Sequence, residues 1–240
     1  MENRGVKNVK MIVPIFAICW LMQGCSAGQD YKAILKNSER PEAERALDAT
    51  RKPDEVLAFY GVKPGDKVAD IWAARGYYTA LLSQVVGPQG LVYSVNPAPR
   101  PEWSDRFKKP EFANVRLITS KFETLELPQD GSLDFVLIHL NYHDLEPDIR
   151  MAMNKRIFAS LRRSGVYGVI DHSAKDGTGN EHAKTLHRID KALVIKEVLR
   201  AGFVMGKEGH ILRRPDDTRD FNVLKERGRD DRFVLAFEKK

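Results

Sequence analysis

The sequence predicts an open, doubly wound α/β fold, and three observations carry that expectation. From residue 68 onward, short apolar runs rich in Val, Ile and Leu alternate with helical stretches, as strands do when crossover helices bury both their faces. The stretch VADIWAARGYYTALL, Val68 to Leu82, reads as a strand, a short loop and a helix. Most of the unusual polar residues come directly after an apolar run, and open α/β sheets bind ligands at those carboxyl ends.

The chain has 240 residues, 42% of them hydrophobic and 30% charged, enough to bury one sizeable core. Its first 24 residues differ in kind. Arg4, Lys7 and Lys10 precede the apolar run MIVPIFAICWLM, too short to cross a hydrocarbon core of about 30 Å at about 1.5 Å per residue but suited to a signal peptide. The string LMQGC resembles a bacterial lipoprotein signal, which implies that Cys25 is acylated and anchors the mature chain to the envelope, facing the periplasm. Cys19 and Cys25 are the two cysteines, so beyond Cys25 no disulfide or Cys-based zinc site is expected. Removing residues 1–24 changes 39 basic and 33 acidic residues to 36 and 32, a net charge of +4. The charges are interspersed, without a basic block or interleaved aromatics, so nucleic acid is not an expected partner.

Residues 25–60 read as a lipid-anchored tether followed by short helices, with Pro41 and Pro53 where first helical turns accept proline. The main domain is expected from 61 to 240, entered through the turn GVKPGDK. Its strands are expected at Val68–Ile71, Leu91–Val95, Val115–Ile118, Phe135–Leu140 and Val166–Ile170, with late strands at Phe203–Met205 and Arg232–Phe237. Ile149, Met153, Ile157 and Leu161 share a helical face that Gly165 stops; Leu186, Ile189, Leu193 and Leu199 lead similarly to Gly202.

In the loop WAARG a nucleotide fold would place three glycines, and only Gly76 is present; Trp72 and Ala74 take the other two positions. The helix after it still offers free N–H groups and a positive dipole end to an anion, with Arg75 beside it. Asn96 ends the second strand where nucleoside folds carry an acid for the ribose hydroxyls, and an amide accepts less strongly than a carboxylate.

Together the strings RKPDEVLAFYGVKPGDKVADIW, GYYT, NYHD, GVYGVIDHSA, LHRID and DRFVLAF resemble class I S-adenosylmethionine-dependent methyltransferases, and among them a group of exported bacterial predicted methyltransferases. The resemblance covers residues 40–240. It implies a Rossmann-like, doubly wound seven-stranded sheet, mostly parallel with an antiparallel last strand, and S-adenosylmethionine as cofactor. By position, Asp70, Trp72, Ala74 and Gly76 would surround its methionine portion, Asn96 the ribose, and Phe122 with Glu123 the adenine, while Asn141 would lie beside the reacting centre. The chain has AARG where that group commonly has PGGG, so weakened cofactor affinity is expected.

For chemistry the sequence offers His143 with Asp144 after the fourth strand, and Asp171 with His172 after the fifth. A histidine near neutral pKa takes a proton while a carboxylate fixes its tautomer, which makes His143 the leading proton acceptor and Asp171 and His172 its supports. His187 and Arg188 would pack and cap against the sheet, or Arg188 would instead pair with Asp171. The six histidines all lie beyond residue 138, yet no pair has a known zinc spacing, so convergence of His143, His172, His187 and Asp171 on a metal is not expected. RRPDDTRD, residues 213–220, reads as a solvated loop with a lid as its functional alternative. Two functions stay open: an envelope methyltransferase acting on a small-molecule acceptor or envelope component, and a non-catalytic lipid-anchored protein with a degenerate fold of the same kind.

Overall fold

The computed structural model describes residues 1–2, 30–37 and 39–240; most of the expected signal peptide, and Cys25 with it, lies outside the described residues. No helix among the described residues is long and apolar enough to cross a membrane.

A seven-stranded sheet forms the centre, in the order β3-β2-β1-β4-β5-β7-β6. The strands are β1 (Lys67–Ile71), β2 (Leu91–Asn96), β3 (Val115–Thr119), β4 (Leu133–His139), β5 (Leu161–His172), β6 (Val204–Gly209) and β7 (Arg232–Glu238). The pairs β1–β2, β1–β4, β2–β3 and β4–β5 are parallel, and β7 runs antiparallel to both β5 and β6. The doubly wound fold with its reversed last strand is therefore present. Alternation along each strand divides the core. Val68, Phe135, Leu137, Val234 and Ala236 face one cluster, while Ala69, Ile71, Val136, Ile138, Phe233 and Leu235 face the other, the period-2 pattern of a sheet covered on both sides.

Helices α1 (Tyr31–Leu35), α2 (Glu42–Arg51), α3 (Pro53–Tyr60), α4 (Tyr77–Val86) and α5 (Pro101–Arg106) precede β3, and α6 (Pro147–Ser160), α7 (Ala183–Leu186) and α8 (Lys191–Arg200) come after β4. Val56, Leu57 and Tyr60 of α3 belong to the first core cluster, and the Tyr60 hydroxyl donates to the Leu235 carbonyl at 3.2 Å. Packing thus continues across residue 60, and α2 and α3, the short helices expected after the tether, are built onto the sheet domain.

Two helix ends differ from expectation. α6 stops at Ser160, and Leu161 already has extended backbone (ψ 141°) and pairs with Leu133. Gly165 is inside β5, where a Cβ would come within 2.9 Å of the Arg162 carbonyl; close backbone approach, and not a helix stop, is its reason. The second pattern spans a break: α7 ends at Leu186, His187 turns left-handed (φ 56°), and α8 begins anew behind Asp190, whose side chain accepts from the Ala192 N–H. Its core face is Val194 and Val198, and Leu199 is exposed.

One buried network fixes the segment after β4. The Arg150 guanidinium donates to both oxygens of Glu197 at 2.8 Å, and the Tyr142 hydroxyl donates to Glu197 Oε2 at 2.9 Å. Tyr142 in turn accepts from Asn154 Nδ2 at 2.9 Å. These bonds pin the short 3₁₀ turn Tyr142–Asp144 between α6 and α8. Removing one member of a buried pair strands the other's charge, at about 3–5 kcal/mol. Arg150→Met is accordingly expected to lower the unfolding free energy in urea by about that amount, and adding Glu197→Leu to restore most of it. A loss under about 1 kcal/mol for Arg150→Met would show the pair to be dispensable.

Candidate functional site

A cavity of about 920 Å³ opens at the carboxyl ends of β1, β4 and β5, roofed by α2. It lies where the strand order reverses, the usual ligand crevice of an open α/β sheet, and its size is that of a small-molecule site. α2 is tied down over it by an ion pair between Glu44 and Arg106 and by the Tyr77 hydroxyl donating to Asp48 at 2.6 Å.

The loop after β1 forms one wall. Trp72 (φ 57°), Ala74 (φ 53°) and Gly76 (φ 84°) alternate through left-handed backbone, at about 1–2 kcal/mol for each non-glycine residue. The restraint that holds this shape is Asn96: its Oδ1 accepts from the Ala74 N–H at 2.9 Å and its Nδ2 donates to the Ala74 carbonyl at 3.1 Å. An ionised acid offers acceptors only and could not make both bonds. The amide at this position and the missing glycines are therefore one adaptation, and it corrects the expectation that Asn96 meets a ribose: the side chain is fully buried and committed to Ala74. Gly76 is required for packing, since a Cβ would fall 2.3 Å from the Phe107 ring. Phe122 is buried under Trp72 with ring centroids 4.9 Å apart, and Glu123 is exposed outside the cavity. Of the residues expected around a cofactor, Asp70, Trp72, Ala74 and Asn141 line the cavity, and Gly76, Asn96, Phe122 and Glu123 support or flank it.

At the floor, Asp70 accepts from the Thr79 hydroxyl at 2.6 Å; Thr79 accepts from Ser94 at 2.8 Å, and Ser94 from the Trp103 indole at 2.8 Å. Burial pushes the Asp70 carboxyl up to about 6, with Thr79 and Arg51 pulling the other way. Across from it, Arg51 stacks 4.3 Å over the Tyr77 ring, and burial together with Arg232 lowers its pKa. Arg51 makes no ion pair among the described residues. Next to it the Tyr78 hydroxyl and His139 Nε2 are buried without a hydrogen-bond partner among the described residues, their rings 4.7 Å apart. Burial holds His139 well below its ordinary pKa, so it is a neutral imidazole.

Asp171, fully buried at the end of β5, orients both expected histidines. It accepts from the His143 N–H at 2.8 Å, from His143 Nδ1 at 2.8 Å and from the His172 N–H at 2.8 Å. The two rings diverge from there. His143 lies outside the cavity wall, with Nε2 3.2 Å from Asp144. Burial opposes a charge on it, but Asp171 and Asp144 outweigh burial and lift its pKa to about 10. Lying outside the cavity wall and held protonated by its two acids, His143 is not placed to take a proton from an acceptor in the cavity, which corrects the expectation that it is the base.

His172 does line the cavity. Its Nδ1 is 2.6 Å from Asp230 Oδ2. Burial lowers its pKa, and Asp230 partly restores it. Burial works against the Asp230 charge as well, but His172 and Arg232 hold its carboxyl well below the usual range. With Asp230 ionised, Nδ1 carries the proton and donates, so the lone pair of this cavity-lining ring is on Nε2. Arg232 anchors the acid from its other side, donating to Oδ2 at 2.6 Å and Oδ1 at 3.0 Å. Neither Asp230 nor Arg232 is singled out by the sequence. The signal was available, because an antiparallel β7 must begin where β5 ends, and His172 pairs in register with Arg232. Arg188 is also reassigned: it donates to Asp217 at 2.8 and 3.1 Å, both side chains fully buried. The 213–220 segment is the loop between the last two strands, with Pro215, Asp216, Thr218 and Asp220 exposed, and Asp217 clamps it to the fold.

No family model matches the chain. Over 101 residues it is 30% identical to the demethylmenaquinone methyltransferase of Staphylococcus aureus strain JH9, covering 42% of this chain and 41% of that enzyme. The chain thus spans about two fifths of the length of the curated relatives it matches. Among solved structures it is similar to a SAM dependent methyltransferase from Aquifex aeolicus, with a TM-score of 0.62 and 20% identity over 87% of this chain and 97% of that one. A second is 1,6-didemethyltoxoflavin-N1-methyltransferase from Burkholderia thailandensis, crystallised with 1,6-didemethyltoxoflavin and S-adenosylhomocysteine; there the TM-score is 0.58 and identity 21% over 90% and 91% of the two chains. These likenesses establish the Rossmann-like methyltransferase fold.

The lifted carboxyl of Asp70 has a measurable consequence. Its folded pKa of about 6 lies above the ordinary 3.8, so the folded chain holds the proton more tightly. Below pH about 4 the group costs nothing; stability falls as pH rises from about 4 to 6, and above that the full cost, up to about 3 kcal/mol, persists. Asp70→Asn is expected to melt several degrees above the wild type at pH 7.5 and level with it at pH 4. A difference in melting temperature that does not change with pH would refute the assignment.

Proposed function

We propose that this chain is an S-adenosylmethionine-dependent methyltransferase in which donor and acceptor share the cavity at the ends of β1, β4 and β5. The observation that carries the reading is His172, a ring on the cavity wall held through Nδ1 by Asp230, so that the lone pair of the neutral imidazole is left on Nε2. The fold of the solved neighbours and the methyltransferase named in the curated match support it.

The residues present fit the donor, with one partner moved. Asp70 and the N-terminus of α4, with Arg75 beside it, suit an amino-acid end bearing an ammonium and a carboxylate. Asn96 has no free atom for a ribose, but Glu102 of α5 lines the cavity six residues further on and supplies an acid for vicinal hydroxyls. When bound, S-adenosylmethionine supplies an activated methyl group. The chain's own part is to align the acceptor and take up its proton, since methyl transfer needs little beyond in-line positioning and a base. His172 Nε2 receives the proton that a hydroxyl, amine or acidic carbon loses as it is alkylated, and Asp230 stabilises the resulting imidazolium. Arg51, without an ion pair among the described residues, favours a ligand that carries negative charge near this wall.

The cellular setting belongs to the same proposal. The run before Cys25 supports export and acylation, which would place the transfer at the bacterial envelope, on a small molecule or an envelope component.

Calorimetric titration of the full chain with S-adenosylmethionine and S-adenosylhomocysteine is expected to show one micromolar site, about −8 kcal/mol. His172→Gln should leave that affinity within threefold while lowering transfer of labelled methyl into envelope extract by about 10²–10⁴. Binding without transfer into any fraction would favour the lipid-anchored, non-catalytic alternative. No heat at millimolar ligand would refute the donor assignment.

A further inference from the structure

Beside the cavity, the turn after β4 and the break between α7 and α8 build a constellation that the proposed transfer does not use. His143 Nε2, Asp144 Oδ1 and His187 Nδ1 form a triangle, with sides of 3.2 Å (His143–Asp144), 3.4 Å (His143–His187) and 3.4 Å (Asp144–His187). Hydrogen bonds from nitrogen to oxygen are about 2.7–3.2 Å long, so the His143–Asp144 contact is at the upper edge of that range and both contacts of His187 are longer. They suit a common cation instead. A point about 0.8 Å above the triangle is about 2.1 Å from all three atoms, with ligand–cation–ligand angles of about 100–110°, which matches zinc bound by imidazole nitrogen and carboxylate oxygen.

We propose that His143, Asp144 and His187 bind a divalent first-row transition metal ion, of which Zn²⁺ is the representative, as a three-ligand face with further positions open, the ion displacing the proton that His143 Nε2 carries in the metal-free chain. Two imidazoles and one carboxylate favour such an ion over Mg²⁺ or Ca²⁺, which take oxygen ligands.

Independent features of the surroundings support this assignment. His143 Nδ1 is held at 2.8 Å by Asp171, which also accepts from the His143 backbone; a carboxylate behind a ligating histidine fixes the ring and its tautomer. His187 reaches the triangle from left-handed backbone at φ 56°, a conformation with a cost for a residue that has a Cβ. The Arg150–Glu197–Tyr142 network pins the residue next to His143. The His143 side chain is 3% exposed, whereas Asp144 and His187 are 32% and 25% exposed, leaving an entry path and room for water or another ligand. None of this depends on the methyl-transfer reading.

The test is titration of the full chain, first stripped with EDTA, with Zn²⁺ alone and with Co²⁺ as a spectroscopic probe. One equivalent is expected to bind, raise the melting temperature and give the visible absorption of a four- or five-coordinate Co²⁺ site with nitrogen and oxygen ligands. Asp144→Ala and His187→Ala, both at partly exposed positions, should each lose at least 100-fold in affinity while melting within a few degrees of the metal-free wild type. Asp171→Asn should lose about 10- to 100-fold, and His182→Ala and His210→Ala none. Absence of binding at millimolar Zn²⁺, or binding that survives in Asp144→Ala and His187→Ala, would overturn the proposal.

Discussion

The site is organised by one fully buried carboxylate. Asp171 accepts three N–H groups, two from His143 and one from His172, and thereby joins the turn after β4 to the end of β5. An ionised acid at this depth is tolerated only when its lone pairs are filled by donors. Those donors set where each imidazole points. His143 is held with its far nitrogen towards Asp144 and His187. The His172 ring points to Asp230 and the cavity. Two histidines from adjacent strand ends thus acquire different chemistry: His143 lies between acids that favour a cation, and His172 is kept neutral with its lone pair on Nε2.

The loop after β1 solves a second problem. Without two of its glycines, the chain still adopts left-handed backbone at Trp72 and Ala74, and the Asn96 amide grips Ala74 from both sides. The loop wall is preserved, and the side chain that ends β2 is used up in preserving it. On the proposed reading a ligand finds its polar partner elsewhere on that wall, where Glu102 lines the cavity. The Trp72–Phe122 pair closes the outer side of the same loop with aromatic surface.

The sheet was largely legible in the sequence because strands buried on both faces read as unbroken Val, Ile and Leu runs. Helix ends were less so. Leu161 continues the apolar spacing of α6 yet begins β5, and the spacing from Leu186 to Leu193 runs through a break at His187. Periodicity does not register a backbone reversal that tertiary contacts enforce. In the site, the place of Asp70, Trp72, Ala74, Asn141 and His172 on the cavity wall follows from their positions at strand ends, which the sequence shows. The roles of His143 and Asn96 were not legible, because each depends on a partner that the fold supplies, Asp171 and Ala74 respectively. Asp230, Arg232 and Arg51 were missed because they lie at or beside β7 and α2, elements that reach the cavity only once the sheet is assembled.

On the proposed reading, one cavity, walled by the loop after β1 and by His172, holds the donor and the reacting centre together. A crystal structure of the full chain grown with S-adenosylhomocysteine tests it most directly. The homocysteine end is expected against Asp70 and the start of α4, the ribose hydroxyls on Glu102, and His172 Nε2 facing the space beside the sulfur. A ligand seated on the outer side of Trp72 and Phe122, or one whose sulfur is separated from His172 by the wall of the cavity, would contradict it.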